Sequence, residues 1–420
     1  MKAKNPLVPI TLTVFLDLLG LGIVIPIAAP LLLTPAEGML PLHMPFSDRS
    51  IILGFLLGIF SIAQFAGAPI LGALADKHGR KKMLLLSIAG TLLGYVLFAI
   101  GIMERNILLC FVSRALDGFT GGNISIAMSA IADVSEEKDR AKNFGLVGMS
   151  FGLGFILGPF IGGILADAHL VSWFDFATPY WFASMLSVCN ILVMLTMFKE
   201  TLREKKNTPV SLATGFRNFG KAFGDIKLRS IFAVLFLMVF GFNFFTQFFQ
   251  VFLIQKFRFT ATDIAYFFGY IGLWLAVTQG ILIRPLTRRI KPSPLVSWSA
   301  LLCTLAFPLL LIPSHSWWLY LLIPLVAIFN GINTPNLTAI ISSQAGPENQ
   351  GAIMGMRQSV QSVAMAIPPI IAGFITTLDI SLPIWAAAFF TLGGWLLFQF
   401  IFRKHDEGVS AKAQSQASSA

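Results

Sequence analysis

The sequence predicts an all-α membrane protein with twelve transmembrane helices arranged as two six-helix halves. Three observations carry this. Hydrophobic residues are 56% of the chain and charged residues 12%, roughly half the charged share of soluble domains. Apolar runs of about 20 residues, the length that crosses a bilayer as helix, recur from end to end. The longest polar segment, 199–229, falls almost midway along the 420 residues and divides six runs from six.

The first helix, 8–33, follows only Lys2 and Lys4 and contains Asp17. It is long and no small-residue cleavage pattern precedes the acidic loop at Glu37, so a retained span is expected rather than a signal peptide. The second and third helices, 51–71 and 84–103, flank GALADKHGRKK, in which Asp76 and four cations crowd a short connection. The fourth, 107–129, contains Arg114 and Asp117. The fifth, 144–166, reads GLVGMSFGLGFILGPFIGGIL. Its Gly154, Gly158 and Gly162 recur every four residues and allow close helix approach, while Pro159 can bend it. The sixth helix, 179–198, closes an N-terminal half spanning 1–198.

After the central loop come the seventh helix, 230–255, the eighth, 264–284, and the ninth, 295–313. The tenth, 317–340, the eleventh, 351–376, and the twelfth, 383–402, complete a C-terminal half spanning 230–403. The small polar tail, 404–420, is expected to be disordered and cytoplasmic. An internal repeat supports the halves: at an offset of 210 residues Gly121, Gly145, Pro159 and Gly163 align with Gly331, Gly355, Pro369 and Gly373. Parallel halves place a substrate site between them near mid-membrane.

The net charge of +10 follows from topology rather than from a nucleic-acid partner. Of the 30 Lys and Arg residues, 25 fall on the side of the N-terminus, among them Arg357 at the start of the eleventh helix. Arg49, Arg105, Lys256 and Arg258 lie on the other side, and Arg114 is intramembrane. The excess of cations therefore predicts both termini in the cytoplasm. Cys110, Cys189 and Cys303 lie far apart inside helices, so neither a disulfide framework nor a metal site is expected.

Asp17, Arg114 and Asp117 all fall near mid-depth, ~11–15 Å from the membrane surface at the helical rise. A bare charge there costs at least ~2.5 kcal/mol, so such residues mark ion or substrate pathways. Arg114 and Asp117, three apart, pair on one helix face. That leaves Asp17 as the first choice for a proton carrier, with Arg114 and Asp117 completing the proton-coupling set. The second half has no acid inside a predicted helix. Its intramembrane polar groups are Asn243, Gln247, Gln250, Gln279, Asn330, Asn333, Asn336, Gln358 and Gln361, candidates for a substrate cavity. The seventh helix adds Phe240, Phe242, Phe244, Phe245, Phe248, Phe249 and Phe252, most of which are expected to face lipid.

Four linked segments resemble the major facilitator superfamily, and within it the twelve-helix drug:proton antiporters, closest to the tetracycline-efflux branch. They are LDLLGLGIVIP with Asp17, GALADKHGRKK, SRALDGFTGGN with Arg114, and GLGFILGPFIGG. IADVSEEKDRAKNFG, with Asp133 and Arg140, is also similar to that branch. The resemblance implies a gating loop of Gly72, Asp76, Gly79, Arg80 and Lys81, with Asp76 near the start of the eleventh helix. It also implies an antiporter signature formed by Gly154, Gly158, Pro159, Gly162 and Gly163. The helix-9 carboxylate and helix-8 histidine of the tetracycline exporters have no counterparts here, and all five histidines fall in predicted loops or the tail.

These readings predict proton-coupled export of an amphiphilic small molecule by alternating access in the bacterial inner membrane. The transporter is expected to be a monomer, without cofactor or metal, its partners being substrate, protons and the lipid bilayer. The alternative is a dedicated transporter, for uptake or export, of one metabolite such as a siderophore or lipid precursor. An enzyme is not expected, since no nucleotide-binding loop, metal-spaced His/Cys set or nucleophile elbow is present.

Overall fold

A computed structural model describes residues 7–35, 39–135, 140–202, 213–226, 228–344 and 350–402. The first half comprises α1 (Leu7–Leu33), α2 (Phe46–His78), α3 (Arg80–Met103), α4 (Ile107–Thr120), α5 (Asn123–Val134), α6 (Arg140–Leu165) and α7 (Thr178–Met197). A linker helix, α8 (Ala213–Gly224), is followed by α9 (Arg229–Phe257), α10 (Ala261–Val277), α11 (Ile283–Arg289), α12 (Pro292–Leu309), α13 (Trp317–Ser343), α14 (Gln350–Ile375) and α15 (Leu382–Leu397). π-helical turns join α10 to α11 and extend α15. Among the described residues nine helices are long and apolar enough to span alone. With α1, α6 and the consecutive pair α4–α5 they give twelve spans. The tail lies outside the described residues.

Two boundaries differ from the sequence expectation, each for a local reason. The charged connection after the second span is helical almost throughout: α2 runs to His78 and α3 begins at Arg80, leaving only Gly79 between them. Gly79 adopts φ +110°, which side-chain-bearing residues rarely take. The fourth span breaks at Gly121–Gly122. The carbonyls released by the break find side-chain partners, as an apolar environment requires. Gln64 donates to Gly121 O at 3.1 Å, Ser125 to Gly122 O at 2.7 Å, and Ser87 to Thr120 O.

The phenylalanines of α9 also depart from expectation. Phe240, Phe244, Phe245, Phe248, Phe249 and Phe252 are all buried in protein, and Phe242 partly so. Ring contacts to Phe390 (4.7 Å from Phe240), Phe307 (5.2 Å from Phe245) and Phe267 (5.9 Å from Phe249) bind α9 to α15, α12 and α10. A helix apolar on every side is compatible with lipid or with a core, and here the core prevails.

Within the first half α1 packs on α6, and α4 on α2 and α3; within the second α9 packs on α14 and α15, and α12 on α13. α1 also touches α9 and α10, but the two sets meet chiefly through two pairs, α2 with α14 and α6 with α10. Both meet toward the face opposite the start of α1, hereafter the distal face. A Cβ on Gly54 or Gly373 would crowd the facing backbone of α14 or α2, and Thr262 at the start of α10 donates to Asp167 beyond α6 at 2.8 Å. Toward the other, linker-side face, α8 occupies the space between α2 and α14. Phe216 stands edge-on to Phe65 of α2 at 5.0 Å, and Asn218 lies beside Gly355 of α14.

Candidate functional site

Close packing of α1 on α6 positions Asp17. A Cβ on Gly158 would stand 2.6 Å from Gly22 Cα, and one on Gly154 2.8 Å from Leu18 Cβ. Gly162 meets the backbone of Ile23, while Gly163 faces Ala265 of α10. The glycine signature therefore serves two interfaces: one sets the height and rotation of α1, the other lets α6 close on α10. Pro159 stands beside Gly22 at the same contact.

The Asp17 carboxylate accepts hydrogen bonds from two amides on different helices, Asn123 at the start of α5 and Asn190 of α7, the latter at 3.3 Å. Thr13 Oγ1, one turn earlier on α1, donates to Asn190 Oδ1 at 2.7 Å and so presents the Asn190 NH₂ to the acid. On α4, Arg114 donates to Asp117 Oδ2 at 3.0 Å, both side chains being buried. The Arg114 guanidinium also lies 4.4 Å above the Phe60 ring. Asp17 and Asp117 line one cavity of about 40 Å³ together with Phe60, Gln64, Tyr95 and Asn123. That volume suits water rather than a drug-sized molecule. The break at Gly121–Gly122 places Asp117 at the end of α4 and Asn123 at the start of α5, so one fractured span supplies a group to each acid.

Sequence reading found the three charges but not Asn123, Asn190, Thr13 or Tyr95. The signal available for Asn123 was its place after a Gly-Gly pair, where a helix restarts. For Asn190, an isolated amide in a span, only intramembrane polarity could have pointed to it.

The gating-loop residues form a tight cluster at the linker-side face. Arg80 pairs with Asp76 at 2.7 Å and with Asp133 of α5 at 3.3 Å. Lys81 Nζ donates to Phe198 O at 2.6 Å and Leu195 O at 3.1 Å, tying α3 to the end of α7. The carboxylate of Glu200, which sequence reading did not single out, accepts from the backbone N–H groups of Arg80 at 2.9 Å and Lys81 at 3.1 Å. It thereby caps α3, where the helix dipole favours an anion. Gly72 has open space around it. The side chains of Arg140 and of residues 350–352 at the start of α14 lie outside the described residues.

The amides of the second half divide by role. Asn333 donates to Val296 O and Ser299 Oγ, each at 3.4 Å, and glues α13 to α12. Asn330 accepts from Thr334 within its own helix, and Gln247 offers its backbone carbonyl to Gln250. Gln279 sits in the π turn after α10, and Gln358 and Gln361 are half-buried on α14. The side-chain oxygens of Asn243, Gln250 and Gln361 are buried without a hydrogen-bond partner among the described residues. Arg357 lies within α14 (Gln350–Ile375), in line with its expected place in the first part of the eleventh helix. No metal-binding cluster occurs among the described residues.

Comparison with known proteins gives a family match over nearly the whole chain. The family described as Major Facilitator Superfamily matches residues 10–369 and 276–419. Multidrug resistance protein 1 of Bacillus subtilis (strain 168) is 31% identical over 92% of this chain and 94% of its own. The class C tetracycline resistance protein of Escherichia coli is 28% identical over 88% of this chain and 89% of its own. The crystal structure of the human organic anion transporter MFSD10 (TETRAN) superposes with a TM-score of 0.72 at 24% identity, covering 95% of this chain and all of that one. At this identity the superposition speaks for the fold alone.

Proposed function

Because the chain belongs to the major facilitator superfamily, and is a multi-pass membrane transporter rather than an enzyme, we propose that it exports an amphiphilic small molecule in exchange for protons. The observation that carries this reading is the shared cavity of Asp17 and Asp117. An acid held by amides and an acid held by a cation, joined by space for water, form a site that can take up and release a proton as its surroundings alternate. The drug-resistance names of the relatives support an amphiphilic drug as substrate.

In this reading the six-helix sets 1–198 and 230–403 rock about the substrate site as two bodies of a monomer in a bacterial inner membrane, with both termini cytoplasmic. The linker-side face is then the cytoplasmic one. The distal contacts of α2 with α14 and of α6 with α10 are closed, and α8 stands in the cytoplasmic gap, so the arrangement is that of an inward-open carrier. In this reading Asp17 releases its proton to the cytoplasm in this state, and Arg114 stays paired with Asp117 beside it. Asp76, Arg80 and Lys81 act as the cytoplasmic latch, and the α6 glycines as the surfaces on which α1 and α10 slide. The test is proton release from inside-out vesicles challenged with antibiotics, dyes and metabolites. Release that follows many amphiphiles supports the reading, whereas a response to one metabolite alone favours a dedicated transporter.

A further inference from the structure

Asp17 and Asp117 account for the charges of the first half, but the proton mechanism leaves Arg357 unused. It lies inside α14 (Gln350–Ile375), a helix that holds no acid. Among the described residues no hydrogen bond or ion pair engages it, and its Nε is buried without a partner.

The position of Arg357 around α14 follows from its neighbours. Gly355, Ala366, Ile370 and Gly373 face α8 and α2. Ile367, Ile371 and Phe374 are exposed on the outer surface, at 40%, 38% and 48%. At 100° per residue Arg357 and Gln361 fall on neither face, one turn apart. Gln361 Oε1 and, on the packed helix α9, Asn243 Oδ1 are likewise buried without partners. One guanidinium nitrogen and one amide oxygen on α14, and an amide oxygen on the neighbouring α9, are thus buried without a partner among the described residues. Native structures leave few such groups without purpose.

The geometry points to a binding site in the second half for an amphiphile that carries an anionic group. Arg357 accepts the anion, and Gln361 and Asn243 take hydrogen-bond donors on the rest of the molecule. A planar guanidinium suits carboxylate, sulfonate or phosphate oxygens. The same chemistry is offered by a lipid headgroup, since at the helical rise Arg357 lies only ~10 Å from the start of α14 at Gln350. The inference rests on the export reading for its physiological meaning, but binding can be measured without a proton gradient.

The full-length purified chain in nanodiscs would be titrated with fluorescein, an anionic aromatic dye, and rhodamine 6G, a cationic dye of the same ring system, by fluorescence polarisation. Arg357→Gln should weaken fluorescein binding about tenfold or more, and Arg357→Lys only about threefold, since the charge survives while the fork is lost. Rhodamine binding should stay within about twofold in both variants, showing that the fold is intact. If the anion belongs to the substrate, nanodiscs of phosphatidylcholine with or without phosphatidylglycerol give the same fluorescein affinity. If it is a headgroup, phosphatidylglycerol competes in the wild type and not in Arg357→Gln. Unchanged fluorescein binding by Arg357→Gln, equal loss of both dyes, or a wild type with no affinity for fluorescein would overturn the site. Absence of proton-driven transport alongside intact anion binding would instead overturn the export reading.

Discussion

Asn190 of α7 donates its amide to the Asp17 carboxylate at 3.3 Å while accepting from Thr13 at 2.7 Å, so the acid on α1 is oriented by an amide that α1 itself fixes. Rotation of α1 against α7 breaks both bonds together, which couples the helix to the charge state of Asp17. Asp17→Asn should abolish transport driven by a pH gradient and leave membrane insertion intact, because a neutral amide carries no proton. Asn190→Leu should slow driven transport by about tenfold, the order of one hydrogen bond to a charged group. Full activity of Asp17→Asn in a pH gradient would remove it from the mechanism.

Arg114 neutralises Asp117 inside the membrane, and removing it leaves a buried unpaired acid, a loss of about 3–5 kcal/mol. Arg114→Ala should therefore lower both transport and thermal stability. Arg114→Lys should retain the fold and part of the activity, losing the stacked contact with Phe60. Comparing unfolding temperature with transport rate separates the two effects. Near-normal transport by Arg114→Ala would reduce the pair to a helix pin.

Gly79 and Glu200 form one structural joint. Gly79→Ala places a side chain at φ +110°, in a region open essentially to glycine alone, and should cost about 1–3 kcal/mol. Glu200→Gln keeps an acceptor for the first N–H groups of α3 but loses the charge at the helix terminus, about 0.3–1 kcal/mol. Thermal unfolding in detergent should rank the two in that order; the reverse ranking would mean that the charge, not the backbone, holds the joint.

At the distal face the Asp167 carboxyl is held below its ordinary range, first by the hydroxyl of Thr262 on α10 and then by the backbone N–H of His169. A depressed value means that the bond favours closure fully above the ordinary carboxylate range. The contribution is lost as pH falls through the depressed value. Labelling of a cysteine placed near Thr262 should therefore rise in strong acid, and Asp167→Asn should show the raised labelling at neutral pH. Identical labelling of wild type and variant across that range would exclude a role for the bond in closure.

The spans were legible because bilayer thickness fixes the length of an apolar run, and Arg114 with Asp117 because helical spacing makes three-apart residues neighbours. The partners of Asp17 were hidden: Asn123 and Asn190 are 106 and 173 residues away, and nothing local marks such pairings. Glu200 looked like one more charge in a charged linker until the fold brought the start of α3 to it. The phenylalanines of α9 were misjudged because lipid and protein core select the same side chains. Arg357 was counted among the positive-inside cations although the predicted helix 351–376, which α14 matches to within a residue, already enclosed it. Helix four was taken as continuous although Gly121–Gly122 announced the break.

The last prediction concerns α8, whose Phe216 meets Phe65 of α2 while Asn218 meets Gly355 of α14. If the two halves are to close at this face, α2 and α14 must approach, and α8 occupies the space they would take. Its own attachment is modest: Phe219 and Phe223 pack on the core of the second half, but Phe216 is 70% exposed. Burying one aromatic side chain contributes about 1.5–3 kcal/mol, an amount that a conformational cycle can supply and a covalent bond cannot yield. Joining Phe65→Cys to Phe216→Cys with a short bifunctional reagent, after replacing the three native cysteines, should hold the face open and stop turnover. A reducible reagent should allow recovery on reduction, and a single-cysteine control treated alike should keep its rate. Topology alone would not produce this outcome, because the link leaves every charge in place. A cross-linked protein that transports at the uncross-linked rate would show that α8 travels with α2 and does not obstruct closure.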